Sequence, residues 1–171
     1  MISVTVLNLD STVAALGEIP ANAKKAIKKA SRKTLQAAKR EAIAKVKARY
    51  TSPISIFTQS LTIKTKSTGG ELKSKGGKNP LYKFKTTPQG RIRARGRYIH
   101  ATVVKGQGDT LKKAFRMSKG PNIFERVGES RKPIKKLYSV AAPSMLNVPQ
   151  VREPVMQKIE TMFPQEFFAS L

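Results

Sequence analysis

The chain reads as an α+β fold: a long N-terminal helix over a small antiparallel β-sheet, with an extended basic loop or hairpin and helices at the C-terminus. Three observations carry that reading. Residues 21–50 contain no Gly or Pro and consist mostly of Ala, Lys, Arg, Gln and Glu, all strong helix formers. Several short segments alternate apolar and polar residues with the period of a half-buried strand. The 171 residues, 39% hydrophobic, suit one domain, here residues 1–171.

The elements follow in order. Ile2, Val4 and Val6 alternate and predict a short strand. Asp10 or Ser11 could cap a brief helical turn that Gly17 interrupts. Pro20 stands where a helix tolerates proline, at its start. Between Ala21 and about Tyr50, Ile27, Thr34, Leu35, Ala38, Ala42 and Val46 form one stripe at helical spacing. Thr51-Ser52-Pro53 then ends the helix. Ser60 to Ser67 predicts an antiparallel strand with Leu61 and Ile63 inward, and Gly69-Gly70 a turn into a weak return strand around Leu72. Residues 68–97, rich in Lys, Gly, Pro, Thr and Arg, read as a basic arm projecting from the core and ordering only on assembly. Tyr98–Val104 and Asn122–Val127 are further strands, the first stopped by Gly106-Gln107-Gly108-Asp109. Residues 143–171 read as helical, with Pro143 and Pro154 near helix starts, a stripe of Val155, Ile159 and Met162, and Pro164 bending or splitting the last helix.

Charge narrows the function. Lys and Arg number 34 against 10 acids, a formal +24. Self-repulsion of that size opposes a solitary compact state unless a polyanion or an acidic partner screens it. Residues 1–20 hold no base, residues 21–110 hold 23 bases against three acids, and residues 137–171 are nearly neutral. There is no cysteine and a single histidine, His100. This inventory offers no catalytic constellation, no metal site and no cofactor site, and the chain reads as a non-enzyme. No apolar run approaches the roughly 20 residues of a membrane span, and the N-terminus lacks the pattern of a signal peptide.

Two basic candidates stand out. Arg91, Arg93, Arg95 and Arg97 are spaced by two, which in a strand puts four guanidinium groups on one face. Lys83 and Lys85 precede them at the same spacing. The row would contact a nucleic-acid backbone or an acidic strip on another protein, or it is a solvated arm that prevents edge-to-edge aggregation. The helix carries eleven Lys and Arg between Ala21 and Tyr50 against Glu41 alone, which would grip phosphates without sequence preference or form a solvated face. The glycine-containing stretches 76–80 and 106–110 do not fit a phosphate loop and read as turns.

Residues 114–143 carry a more specific pattern. Ala114-Phe115, Gly120, Ile123-Phe124 with Arg126, Gly128, Arg131-Lys132-Pro133-Ile134, Leu137-Tyr138 and Pro143 resemble the minor tail protein Z family of long-tailed bacteriophages and prophages. Pro80-Leu81 with Phe84 and the basic helix ending at Tyr50 extend the resemblance upstream, and Ser139 departs from it where the family usually has Gly. The resemblance implies a tail-completion or neck-protein-like fold and a structural virion component without catalytic residues. It further implies a ring of copies of the chain, a hexamer, joining head to tail at the head-proximal end. Its partners would be the tail tube or tail terminator, the head-closure proteins and packaged double-stranded DNA in the channel, with assembly in the host cytoplasm. On that reading Phe124, Arg131, Pro133, Ile134, Leu137 and Tyr138 form a subunit interface, an apolar anchor rimmed by cations. Ile134, Leu137 and Tyr138 could equally be ordinary core residues. The alternative class is a non-specific nucleic-acid-binding protein.

Overall fold

A computed structural model describes the backbone of residues 2–6 and residues 21–90, 98–117, 120–130 and 132–171. The expected turn around Asp10, Ser11 and Gly17, the row Arg91, Arg93, Arg95 and Arg97, and Arg131 lie outside the described residues.

Helix α1 (Ala21–Arg49) forms where the helix formers run uninterrupted. Its predicted stripe is buried, and Ala26, Ala30 and Ser31 widen it. Alanine along the buried arc lets neighbouring elements approach the helix axis closely. Val104 bridges to Tyr50, and Thr51 N–H bonds Val103 C=O at 3.1 Å, so the helix end is fastened to a strand. Pro53 does more than end α1: it leads directly into a short helix α2 (Ile54–Ser60), with Phe57 buried.

The first sheet holds β1 (Ile2–Val6), β2 (Leu61–Lys66) and β3 (Gly69–Ser74) in the order β1-β3-β2, all antiparallel pairs. Leu61 is buried and Thr62, Lys64 and Lys66 are exposed, as the alternation predicts. Leu72 in β3 is fully buried. At Gly70 an added Cβ would stand 2.6 Å from Leu35 Cδ1 and 3.0 Å from Lys64 O. The absence of a side chain there is what lets α1 lie on this sheet.

The arm expected at residues 68–97 is corrected over its described part. After β3 come β4 (Lys78–Pro80), a 3₁₀ turn (Leu81–Lys83) and β5 (Lys85–Thr87). Leu81 and Phe84 are buried, and Asn79 Nδ2 donates to Val140 O at 2.8 Å. A few apolar anchors suffice because Asn79 and Thr86 enter the interior with hydrogen bonds, while lysines face outward. β5 pairs with β6 (Ile99–Val104), which pairs with β7 (Gln107–Leu111). Gln107-Gly108-Asp109 therefore continues the sheet instead of stopping it; the turn is at Lys105-Gly106, where Gly106 takes φ +79°.

β8 (Ala114–Arg116), β9 (Ile123–Arg126) and β10 (Ile134–Lys136) form a third antiparallel sheet in the order β10-β9-β8, and β11 (Tyr138–Ala141) pairs with β4. Helices α3 (Ala142–Asn147) and α4 (Pro149–Phe168) close the chain. Pro143 is near the start of α3 as expected, whereas Pro149, not Pro154, opens α4. Pro154 and Pro164 both lie inside α4, which runs unbroken to Phe168. Burial of Val151, Val155 and Ile159 in the core shared with α1 holds the helix across Pro154, and beyond Pro164 the Glu166 carboxylate pairs with Lys33 of α1 at 2.8 Å. Met162 is only half-buried.

Among the described residues two apolar cores result. The larger joins α1, α2, α3, α4 and the first sheet; the smaller gathers Leu81, Ile99, Ala101 and Ile123, and Val103 packs against both.

Candidate polyanion and assembly surfaces

Lys25, Lys28, Lys29 and Arg32 recur along α1 at offsets of zero, three, four and seven, which places them on one helical face. That face meets Ile63 and Thr65 of β2, with Gln36 one turn further on, to form an open groove of about 490 Å³. Among the described residues no acidic side chain lines it. Four cations along two turns of helix sum their fields in a concave site, where less solvent screens them than on a convex surface. The basic-helix candidate thus gains a shaped site on half its length. Lys83 and Lys85 do not join it: Lys83 is half-buried, and Lys85 is an exposed residue of β5 whose N–H donates to Thr51 Oγ1 at 3.1 Å.

The opposite face of the first sheet carries Lys64 and Lys66, with Glu71 and Lys73 across on β3. The Lys73 ammonium bonds the Glu71 carboxylate at 2.8 Å and holds its pKa below the usual carboxylate value, helped by Lys64 and Lys66.

The third sheet divides the expected subunit-interface residues. Phe124 lies opposite Phe115 and Lys136, and Ile134 opposite Arg126, so these five share one face. The Phe115 and Phe124 rings are 6.3 Å apart, and the Arg126 guanidinium stands 5.1 Å from the Phe115 ring centre. Phe115, Phe124 and Ile134 are half-buried, and none belongs to either core. Tyr138 is 50% exposed, with Lys136 Nζ 5.4 Å from its ring. Pro133 is exposed. Leu137 is different: it packs on the smaller core and bonds through its backbone to Ile123 and Leu81.

Sequence reasoning missed one buried cation, Arg116. Its Nη1 donates to Pro121 O and its Nη2 to Thr86 Oγ1, both at 2.6 Å, while Nε has no partner among the described residues. Burial lowers its pKa from the ordinary arginine value. Nothing in the sequence distinguishes it from the exposed Arg126.

His100 is exposed, and its Nδ1 pairs with Thr110 Oγ1 at 2.8 Å. Among the described residues no group of three or more His, Cys, Asp or Glu could hold a metal ion, and no helix is long and apolar enough to cross a membrane. No protein-family model, curated protein or solved structure matches the chain.

Proposed function

We propose that the chain is a structural virion protein, a tail-completion or head–tail connector component that assembles into a ring at the head-proximal end of a phage tail. The observation that carries this reading is the outer face of the third sheet. Phe115, Phe124 and Ile134 lie there half-buried between Arg126 and Lys136, within the segment that resembles the tail protein family. An apolar centre with a cationic rim is what a protein–protein contact uses. In a ring each copy presents this face to a different face of its neighbour, repeated until rotation closes the circle.

The test is assembly. Purified protein, alone and with tail-tube and head-closure proteins, is imaged by negative stain and sized by light scattering. Rings that vanish in an Ile134→Ser, Tyr138→Ser double variant with an unchanged circular dichroism spectrum support the reading. A monomer under every one of these conditions refutes it.

A second reading, non-specific nucleic-acid binding, is favoured by the groove cations Lys25, Lys28, Lys29 and Arg32. It predicts retention of duplex DNA by the monomer, with affinity falling steeply as salt rises.

A further inference from the structure

The groove beside α1 has a wall whose hydrogen bonding follows from register. Lys75 N–H donates to Ser60 C=O at 3.0 Å, one step beyond the Leu61–Ser74 pair. Hydrogen-bonded and non-hydrogen-bonded pairs alternate in an antiparallel ladder. Thr62, Lys64 and Lys66 therefore exchange bonds with β3, while the backbone groups of Leu61, Ile63 and Thr65 turn to the open side of β2, an edge strand of its sheet. Leu61 is already satisfied there, its N–H by Thr58 O and its C=O by Lys39 Nζ at 3.3 Å. Ile63 and Thr65 have no backbone partner among the described residues. Two donors and two acceptors thus face the side on which Lys25, Lys28, Lys29 and Arg32 stand.

We infer that this groove takes an extended acidic segment of a partner protein, added as a strand to the edge of β2 with its carboxylates against the α1 cations. Strand addition uses main-chain bonds for affinity and alternate side chains for specificity. Three features favour a peptide over a phosphodiester. The Ile63 and Thr65 carbonyls repel a phosphate, which can only accept, but receive a peptide N–H. The half-buried Ile63 side chain in the wall offers an apolar contact between the charged ones. Lys39 on Leu61 O shows the edge carbonyls already drawing donors. The site is independent of ring formation through the third sheet, and it stands or falls separately.

The test uses the intact protein and an alternating Val-Glu peptide of about ten residues, with the matching Val-Lys peptide and a duplex of about 20 base pairs as controls. Affinity is measured by titration calorimetry and amide exchange by NMR. The Val-Glu peptide is expected to slow exchange at Ile63 and Thr65 at least about tenfold, and Lys28→Gln with Arg32→Gln to weaken it about tenfold or more. Neither control should protect those two amides. Failure of the acidic peptide to protect them, equal protection by the duplex, or unchanged affinity in the double variant would overturn the proposal.

Discussion

Arg116 and Thr86 are both buried and bonded to each other, Nη2 to Oγ1 at 2.6 Å, joining β8 to β5 across 30 residues of sequence. Among the described residues no carboxylate balances the guanidinium, and Pro121 O and Thr86 Oγ1 are its hydrogen-bond acceptors. Removing an acceptor from a buried charged donor leaves the donor stranded. Thr86→Val is therefore expected to destabilise by about 1–3 kcal/mol. In an Arg116→Met background the same change should cost much less, because no donor remains to be orphaned. Urea unfolding of the four members of the cycle measures the coupling.

Gly70 sits under α1 with Leu35 Cδ1 and Lys64 O inside the reach of any Cβ. Leu35 can shift, but a backbone oxygen in a ladder cannot move far. Gly70→Ala should lower stability by about 1–3 kcal/mol through overpacking. Adding Leu35→Val should relieve only part of it, which thermal melts of single and double variants will show.

Helix α4 is held to α1 by apolar burial far more than by charge. The ion pair Lys33–Glu166, 2.8 Å long, is half exposed on the lysine side, so Glu166→Ala is expected to change stability by no more than about 1 kcal/mol. Ile159 is 2% exposed in the larger core, and Ile159→Ala should cost about 2–5 kcal/mol. Denaturant midpoints at matched ionic strength separate the two.

The Glu71 carboxyl titrates below its unfolded value because Lys73 bonds its ionised form. A lowered folded pKa gives stabilisation that is present above the unfolded pKa and disappears as pH falls through the folded one. The melting temperature of the wild type minus that of Glu71→Gln should thus be positive near neutrality and shrink to zero in acid. Added salt should reduce the neutral difference, since the pair is at the surface.

How much of this was readable beforehand varied with the physics of each element. Helix α1 was legible because about 30 residues of favourable propensity and one apolar stripe agree with each other. β2 was legible from Leu61, Ile63 and the alternating lysines. β4 and β5 were not: each has three residues, and the side chain each buries, Asn79 or Thr86, is polar. α2 buries Phe57 alone, too little to show a period. Pro154 reads as a helix start and Pro164 as a break because proline acts locally, whereas the burial of Val151 and Val155 that carries α4 through Pro154 is tertiary. For the groove, the cation spacing on α1 was visible in the chain, but the position of β2 at a sheet edge depends on pairing between distant segments. The same dependence hid the contrast between Ile134, turned outward, and Leu137, turned into the smaller core.

Val103 touches both apolar clusters, and the main chain around it is stitched to Thr51 at the foot of the long helix. The hydroxyl of Thr51 ties the same point to Thr102 and Lys85. Neither half of the molecule can loosen without pulling on this seam, so heat should dismantle the chain in a single calorimetric transition.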